Sequence, residues 1–410
     1  MQHKEVDCAT IGAASTAGKS GRVTADKSNP GLQIRKKGTF RRFVRYGLLA
    51  GAVAVLPLRQ AMADDNRAFL PAGFLDVSTV ASNGDQNPYG VAFVPDGFPS
   101  GGPLNSGDTL VSNFNNAGTS PAGNIQGTGT TITRVAPDGE TSTFFTGIFS
   151  SPTDGGLTTA LGALKRGFVV VGQLPNNNGT PEAGSLLFLN KNGTPVLKYT
   201  NQNVDGPWDL AIDDDFDHAK VFVSNVLSGT VVRLDVSVGS GTVTVTNITE
   251  IAHGYAFGLN MAAFVVGPTG LAYDEQADVL YVASTSDNEI FKILHAKATN
   301  MSVLKGILVY NDPTHLHGPL ALALAPNGHL LTSNGDAINP PVPPQLPSEI
   351  VEFTKDGHFI GQLSIDSVAG GAFGIAIARQ TDDKAHFAAV NDDDNTIIVL
   401  GLNAEGFQRQ

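Results

Sequence analysis

From residue 89 onward the chain repeats one hydrophobic pattern. The pentamers Tyr89-Gly90-Val91-Ala92-Phe93, Trp208-Asp209-Leu210-Ala211-Ile212, Thr269-Gly270-Leu271-Ala272-Tyr273, Leu320-Ala321-Leu322-Ala323-Leu324 and Phe373-Gly374-Ile375-Ala376-Ile377 carry it, with a weaker copy at Gly156-Leu157-Thr158-Thr159-Ala160. Anchored at residues 90, 156, 209, 270, 321 and 374, the copies lie 66, 53, 61, 51 and 53 residues apart. Repeats of about 40–50 residues belong to propellers and solenoids.

A second apolar segment follows each pentamer: Leu110–Asn113, Phe168–Gly172, Val221–Asn225, Leu280–Ser284, Leu330–Asn334 and Phe387–Asn391. A third follows in turn, at Thr131–Val135, Ser185–Leu189, Thr230–Val236, Glu289–Leu294, Glu349–Phe353 and Thr396–Leu402. Turn signals come next, such as Pro137-Asp138-Gly139, Lys191-Asn192-Gly193 and Lys355-Asp356-Gly357. A fourth segment then closes the first five repeats, at Thr141–Phe145, Pro195–Thr200, Val245–Ala252, Gly306–Asn311 and Phe359–Asp366. Four short strands per repeat make the blade of a propeller. The sixth repeat stops after three strands, while a spare strand, Phe74–Val80, precedes the first. The pattern therefore predicts an all-β, six-bladed β-propeller with four-stranded blades. An N-terminal strand completes the last blade, so that no strand edge is left open there.

With strands of this wording the chain resembles the NHL-repeat propellers, in which a Gly-Leu-Ala-type inner strand precedes a strand ending in Asn, Asp or Ser. The resemblance covers roughly residues 74–402. Gly318-Pro319-Leu320-Ala321-Leu322-Ala323, Pro326-Asn327-Gly328-His329-Leu330, Pro347–Phe353 and Gly370-Gly371-Ala372-Phe373-Gly374 look like a group of exported bacterial propellers of unassigned activity. Calcium-dependent gluconolactonases and regucalcin, paraoxonase-like lactonases, strictosidine-synthase-like proteins and streptogramin lyases are more distant six-bladed relatives. A shared propeller scaffold does not carry an activity with it.

The N-terminal portion reads differently. Residues 1–40 are rich in Gly, Ser and Lys without apolar periodicity and are expected to be a disordered extension. Arg41-Arg42-Phe43-Val44-Arg45, the apolar run Tyr46 to Leu58 and Ala61-Met62-Ala63 follow in order. A basic segment, a short apolar segment and a small-x-small site are the parts of a cleavable signal peptide, here 41–63. The paired arginines resemble a twin-arginine signal, but Phe43 follows them without the usual intervening residue, which favours the general secretory route. The apolar run falls short of the roughly 20 residues needed to span a bilayer. The propeller domain is then 64–410, exported to the periplasm or the extracellular space. Residues 1–63 hold 11 Lys/Arg and 3 Asp/Glu, leaving 15 basic and 35 acidic residues and a net charge of −20 in 64–410. Phosphate backbones and anionic lipid surfaces repel such a chain, so neither nucleic-acid binding nor membrane insertion is expected. The one cysteine, Cys8, leaves with the signal, which removes disulfides, thiolate metal sites and cysteine nucleophiles together.

In a propeller the loop entering the inner strand and the loop after the second strand share one face, and both are expected to line the mouth of the channel. Tyr89, Asp154, Trp208, Asp209, His315 and His317 precede or open inner strands, and Asn113, Asn225, Asn334 and Asn391 end second strands. Two readings of the Asn positions compete. Their carboxamide oxygens converge on a hard cation such as Ca²⁺, or each bonds the backbone of its own turn. Asp209, beside the one tryptophan and at a position that is otherwise small, is the best acidic partner for a cation, with Asn225 as its companion ligand. His315 and His317, two apart in a segment read as extended, project to one side and could supply a general base or ligate zinc or copper. The run Asp392-Asp393-Asp394 reads as a solvated turn. Long insertions at 115–130, 173–184 and 335–348, and the apolar excursion 253–266, are candidates for walling a pocket. No haem attachment motif, phosphate-binding glycine loop or Gly-x-Ser-x-Gly elbow occurs.

The expectation is a monomeric exported propeller that binds a small-molecule ligand or a protein partner at its channel mouth. A calcium-dependent hydrolase or lactonase is the alternative, and a lyase a further one. The order of basic, apolar and Ala-Met-Ala segments predicts that N-terminal sequencing after cell fractionation finds a chain beginning at Asp64 outside the cytoplasm. A full-length cytoplasmic product contradicts the signal reading.

Overall fold

The computed structural model describes residues 68–71, 76–117, 126–147, 156, 160–177, 179–261, 263–381 and 384–403. The extension and signal peptide expected over 1–63, Asp154 and Phe74 lie outside the described residues. Among the described residues every regular element is a β-strand. Six antiparallel sheets carry the fold. Blade one is Gln86–Phe93, Thr109–Asn115, Thr131–Val135 and Thr141–Thr146, in that order from the inside outward. Blade two is Leu161–Leu164, Phe168–Gln173, Ser185–Asn190 and Pro195–Tyr199. Blade three is Pro207–Asp214, His218–Asn225, Thr230–Val238 and Val243–His253, with Val303–Leu304 added in parallel at its outer edge. Blade four is Pro268–Asp274, Val279–Ser284, Glu289–Leu294 and Ile307–Tyr310. Blade five is Pro319–Leu324, Leu330–Asn334, Glu349–Phe353 and Phe359–Ser364. Blade six is Ala372–Thr381, Lys384–Asn391 and Thr396–Asn403, completed by Asp76–Ser78. The inner strand of each blade touches that of the next, and the inner strand of blade six touches that of blade one, so the six close into a ring.

The second strands explain why the chain reads as runs of apolar residues. Successive side chains point to opposite faces of a strand, and both faces of a blade are covered by neighbours. In blade three Val221 and Val223 pack towards Phe168 and Phe188 of blade two, whereas Phe222 packs towards Leu280 and Phe291 of blade four. Leu280 and Val282 join that same core, while Tyr281 and Ala283 face Leu322 and Phe353 of blade five. The remaining cores fill the gaps between blades one and two, five and six, and six and one. The turns after the third strands also follow the sequence signals. Gly139, Gly193 and Gly357 hold φ of 88, 76 and 83°, values that favour a residue without Cβ.

One strand position departs from the pattern reading. The inner strand of blade two is Leu161–Leu164, beyond the weak pentamer at 156–160. Ala160 and Leu161 occupy the places of Gly90 and Val91, and Gly162 that of Ala92. The Gly-Leu pair at 156–157 imitates the motif but has no apolar continuation.

Closure of the ring is as the strand arithmetic requires. Asp76, Val77 and Ser78 pair antiparallel with Ile398, Ile397 and Thr396. Thr79 then ties blade six to blade one. Its N–H donates to the Asn395 carbonyl at 2.9 Å, and its own carbonyl accepts from Asn113 Nδ2 at 3.1 Å and Thr133 Oγ1 at 3.0 Å. Upstream, the Phe69 and Leu70 N–H groups donate to the buried Glu352 carboxylate of blade five at 2.7–3.1 Å, and His329 Nδ1 lies 2.6 Å from it. The Phe69 ring packs edge-on against Phe387 of blade six.

Deleting residues 64–82 is therefore expected to expose the edge of Thr396–Asn403 and cause aggregation. Size-exclusion chromatography and melting of the truncated protein check this, and a monomer of unchanged melting contradicts the closure. Glu352→Ala leaves His329 and two backbone donors without their acceptor. It is expected to cost about 3–5 kcal/mol in denaturant unfolding, whereas an effect under about 1 kcal/mol contradicts the anchoring role.

Candidate functional site

Each inner strand is the edge of its sheet, with unpaired backbone groups that must be satisfied. At the entry the pairing register shifts in five blades, between Pro88 and Val91, Pro207 and Asp209, Pro268 and Leu271, Pro319 and Leu322, and Ala372 and Ile375. The N–H groups freed there reach side chains of the second strand. Gly90, Asp209 and Ala321 donate to Ser112, Ser224 and Ser333 Oγ at 2.9–3.1 Å. Two of these hydroxyls donate onward to the next blade, Ser224 to the Thr269 carbonyl at 2.6 Å and Ser333 to the Phe373 carbonyl. In blade four Thr285 does the same to the Pro319 carbonyl at 2.6 Å. The inner strands come so close that a Cβ on Gly374 would lie 1.8 Å from the Tyr89 carbonyl oxygen.

This close approach brings the residues preceding the shared small position together on the axis. Tyr89 stacks on Phe373 with ring centroids 4.3 Å apart and meets Trp208 edge-on at 5.4 Å. Phe114 lies 5.7 Å from both Tyr89 and Trp208. Leu174, Val226, Val265 and Leu320 complete the cluster. Trp208 is 2% exposed and Tyr89 7%. The face expected to hold an open mouth is therefore plugged, and Tyr89 and Trp208 are plug residues instead of mouth-lining ones. Six inner strands enclose so narrow a space that aromatic side chains directed at the axis fill it.

The open part of the channel lies on the other side of the plug. A cavity of about 540 Å³ is walled by inner-strand residues of all six blades, among them Val91, Leu161, Leu271, Ala323 and Ile375. It reaches the ends of the inner strands, where Asp96 and Lys165 are exposed and His386 is half-buried. Burial holds the His386 imidazole below its ordinary pKa, against the pull of Asp96. Asp209 lies at the plug end of this cavity. Its Oδ1 accepts from Leu210 N at 2.8 Å and its Oδ2 from Leu271 N of blade four at 2.9 Å. Burial pushes its carboxyl up to about 7, although both backbone hydrogen bonds favour the ionised form. The group is deep among protein atoms yet partly accessible from the cavity.

The pair expected to bind calcium is separated. The register shift sets Asp209 opposite Ser224 and leaves Asn225 opposite Pro207. Asp209 lines the cavity, whereas Asn225 turns into its own blade, accepting from Asp205 N and donating to the Asn203 carbonyl and Thr230 Oγ1 at 3.0–3.1 Å. Asn113, Asn334 and Asn391 are likewise buried and clasp their own entry and turn segments. Their amide nitrogens all meet local partners, and only Asn113 Oδ1 among their carboxamide oxygens makes no hydrogen bond. The two histidines also part company. Pro313–His315 is a turn, with His315 N and Leu316 N both donating to the Asp312 carbonyl. His315 stacks on Phe359 and its Nδ1 lies 2.6 Å from Asp312, while His317 is buried beside Asp336 and Glu349. A turn breaks the two-residue alternation on which a shared direction depends.

Of the acid run, Asp393 and Asp394 are exposed. Asp392 is half-buried, and burial pushes its carboxyl up to about 7. Asp336 and Glu349 were missed as partners of His317. The available signal was faint, since Glu349 stands where blades one, three and six begin their third strand with Thr but blade four also begins its own with Glu289.

No protein-family model matches the chain, and no curated protein matches it by sequence. Solved structures similar to it include the calcium-binding protein regucalcin of Agrobacterium tumefaciens, 12% identical with a TM-score of 0.44, covering 82% of this chain and 96% of that one. A gluconolactonase of Xanthomonas campestris is 12% identical with a TM-score of 0.44, covering 80% and 96%. A chain of a nidogen–laminin complex is 9% identical with a TM-score of 0.45, covering 75% and 98%. A calcium-binding protein, a gluconolactonase and a chain of a nidogen–laminin complex thus stand side by side, and none of their activities passes to this chain on likeness of fold.

Proposed function

We propose that this protein binds a small organic molecule in its axial channel, and that the ligand presents a cationic or hydrogen-bond-donating group to Asp209. The observation that carries the reading is one carboxylate at the closed end of a cavity walled by six blades. Ligand sites are mostly apolar with a few placed polar groups, and Asp209 supplies such a group against Leu271, Ala323 and Ile375. Asp214 and Glu275 add negative charge beside Lys165 at the rim, which favours cations over anions. The export expected from the N-terminal segments belongs to the same proposal, since such a channel would then meet solutes outside the cytoplasm.

A second reading, a lactonase-type hydrolase, has one observation in its favour. A carboxyl with a pKa of about 7 suits general acid–base work at neutral pH. That reading also asks for a calcium ion at Asp209, and the carboxylate would have to bind it without Asn225.

Trp208 adjoins Asp209 and is the one tryptophan of the chain, so its fluorescence reports on the closed end of the channel. Titration with a panel of organic amines, neutral polyols and carboxylates is expected to give saturable changes with amines or polyols, lost in Asp209→Ala. No change with any compound, or an unchanged response in Asp209→Ala, contradicts the proposal. Turnover of lactones that depends on Asp209 and calcium would favour the second reading.

The Asp209 carboxyl holds its proton in the folded protein between its unfolded pKa of about 3.9 and about 7. The stability it contributes is fully present below the lower value and is lost as the pH rises through the upper one. In urea unfolding, Asp209→Ala is expected to cost more at pH 5 than at pH 8. Equal penalties contradict the raised pKa.

A further inference from the structure

We propose that blade five holds a transition-metal ion of the zinc class between His317, Asp336 and Glu349. One ligand-type atom of each lies within 4.8 Å of the other two. His317 Nδ1 is 3.4 Å from Glu349 Oε2 and 3.8 Å from Asp336 Oδ1. Two ligands bound about 2.0–2.2 Å from a tetrahedral ion lie roughly 3.4 Å apart. All three residues are buried, His317 and Glu349 to 1% exposure and Asp336 to 7%.

Blade three provides an internal reference for what the fold itself needs here. Its Asn225 accepts from Asp205 N and donates to the Asn203 carbonyl and Thr230 Oγ1. Asn334 repeats that clasp position for position, accepting from His317 N at 3.0 Å and donating to the His315 carbonyl at 2.8 Å and Glu349 Oε2 at 3.2 Å. Asp205, Leu227 and Thr230 in blade three stand where His317, Asp336 and Glu349 stand in blade five. The clasp therefore forms without an imidazole or a carboxylate at the last two places. Blade five differs from blade three at all three places, and although Glu289 of blade four and Asp393 of blade six repeat single carboxylates, blade five joins them to an imidazole with which they meet.

The hydrogen bonds point to the same conclusion. Both ring nitrogens of His317 and Oδ1 of Asp336 make no hydrogen bond although they are shielded from solvent. A buried imidazole without hydrogen bonds costs free energy that a bound cation would offset. The surrounding groups orient the ligands as outer-sphere partners do. Asp336 Oδ2 accepts from Ser348 N and Gly370 N at 2.9 Å, which leaves Oδ1 directed at His317. Glu349 Oε2 accepts from Asn334 Nδ2 at 3.2 Å.

One nitrogen and two oxygen donors suit zinc or a neighbouring divalent ion, whereas calcium and magnesium take oxygen donors alone. Asp336 and Glu349 stand at the two ends of the proline-rich loop between the second and third strands, and His317 stands in the entry to the inner strand. The ion would fasten that loop to the blade entry.

The test uses the full mature chain, stripped with chelator and then titrated with zinc, manganese or calcium, reading bound metal by elemental analysis and melting temperature. Zinc is expected to bind near one ion per chain and to raise the melting temperature. The isosteric variants Glu349→Gln and Asp336→Asn should weaken zinc binding by at least about tenfold and lose the shift, while His315→Ala keeps both. Because each shift is measured against the same variant without metal, a variant that is merely less stable still reports. Failure of the stripped wild type to bind zinc, zinc shifts in Glu349→Gln and Asp336→Asn as large as that of the wild type, or a shift with calcium alone overturns the proposal.

Discussion

A serine hydroxyl that accepts from its own blade and donates to the next sets the geometry of the axis. Ser224 takes the N–H of Asp209 and gives its proton to the Thr269 carbonyl, and Ser333 links Ala321 to Phe373 in the same way. These links satisfy edge groups that would otherwise face the channel unpaired. At the seam of blades six and one, where Val390 takes the place of the serine, the inner strands come close enough to require glycine where Gly374 meets Tyr89. With the ring drawn in, Tyr89, Phe114, Trp208 and Phe373 have nowhere to go but the axis, and their packing seals it. The position of the cavity, and the place of Asp209 at its closed end, follow from that seal.

Chemistry in this propeller is concentrated where one repeat departs from its siblings. The shared small position at the inner-strand entry is Gly in blades one, four and six, Ala in blades two and five, and Asp in blade three. A carboxylate survives there because Leu210 N and Leu271 N receive it, and burial still raises its pKa to about 7. In blade five, His317, Asp336 and Glu349 stand where blade three forms the same Asn clasp with Asp205, Leu227 and Thr230. The repeat thus works as an internal control, separating residues the scaffold requires from residues it only tolerates.

The scaffold was legible in the sequence because both faces of each second strand are buried. Val221-Phe222-Val223 and Leu280–Ala283 must be apolar throughout, and that density stands out against the turns. Ring closure was legible as well, since the sixth repeat lacked a strand that Asp76–Ser78 supplies. Blade two was misplaced by a few residues because Gly156-Leu157 imitates the motif. The functional face was misread for a different reason. Tyr89 and Trp208 occupy positions that face the axis, and whether aromatic residues there line a pore or fill it depends on the ring radius, which no local pattern encodes. The direction of His315 depended on a turn over Pro313–His315, and the meeting of His317 with Asp336 and Glu349 joins three separate loop ends.

The plug can be tested through the one tryptophan. If Trp208 is packed against Tyr89 and Phe114 at 2% exposure, its fluorescence will be blue-shifted and will resist quenching by acrylamide in the native protein. Emission typical of a water-exposed indole, quenched as readily in the folded as in the unfolded chain, would contradict the sealed axis and with it the assignment of the cavity.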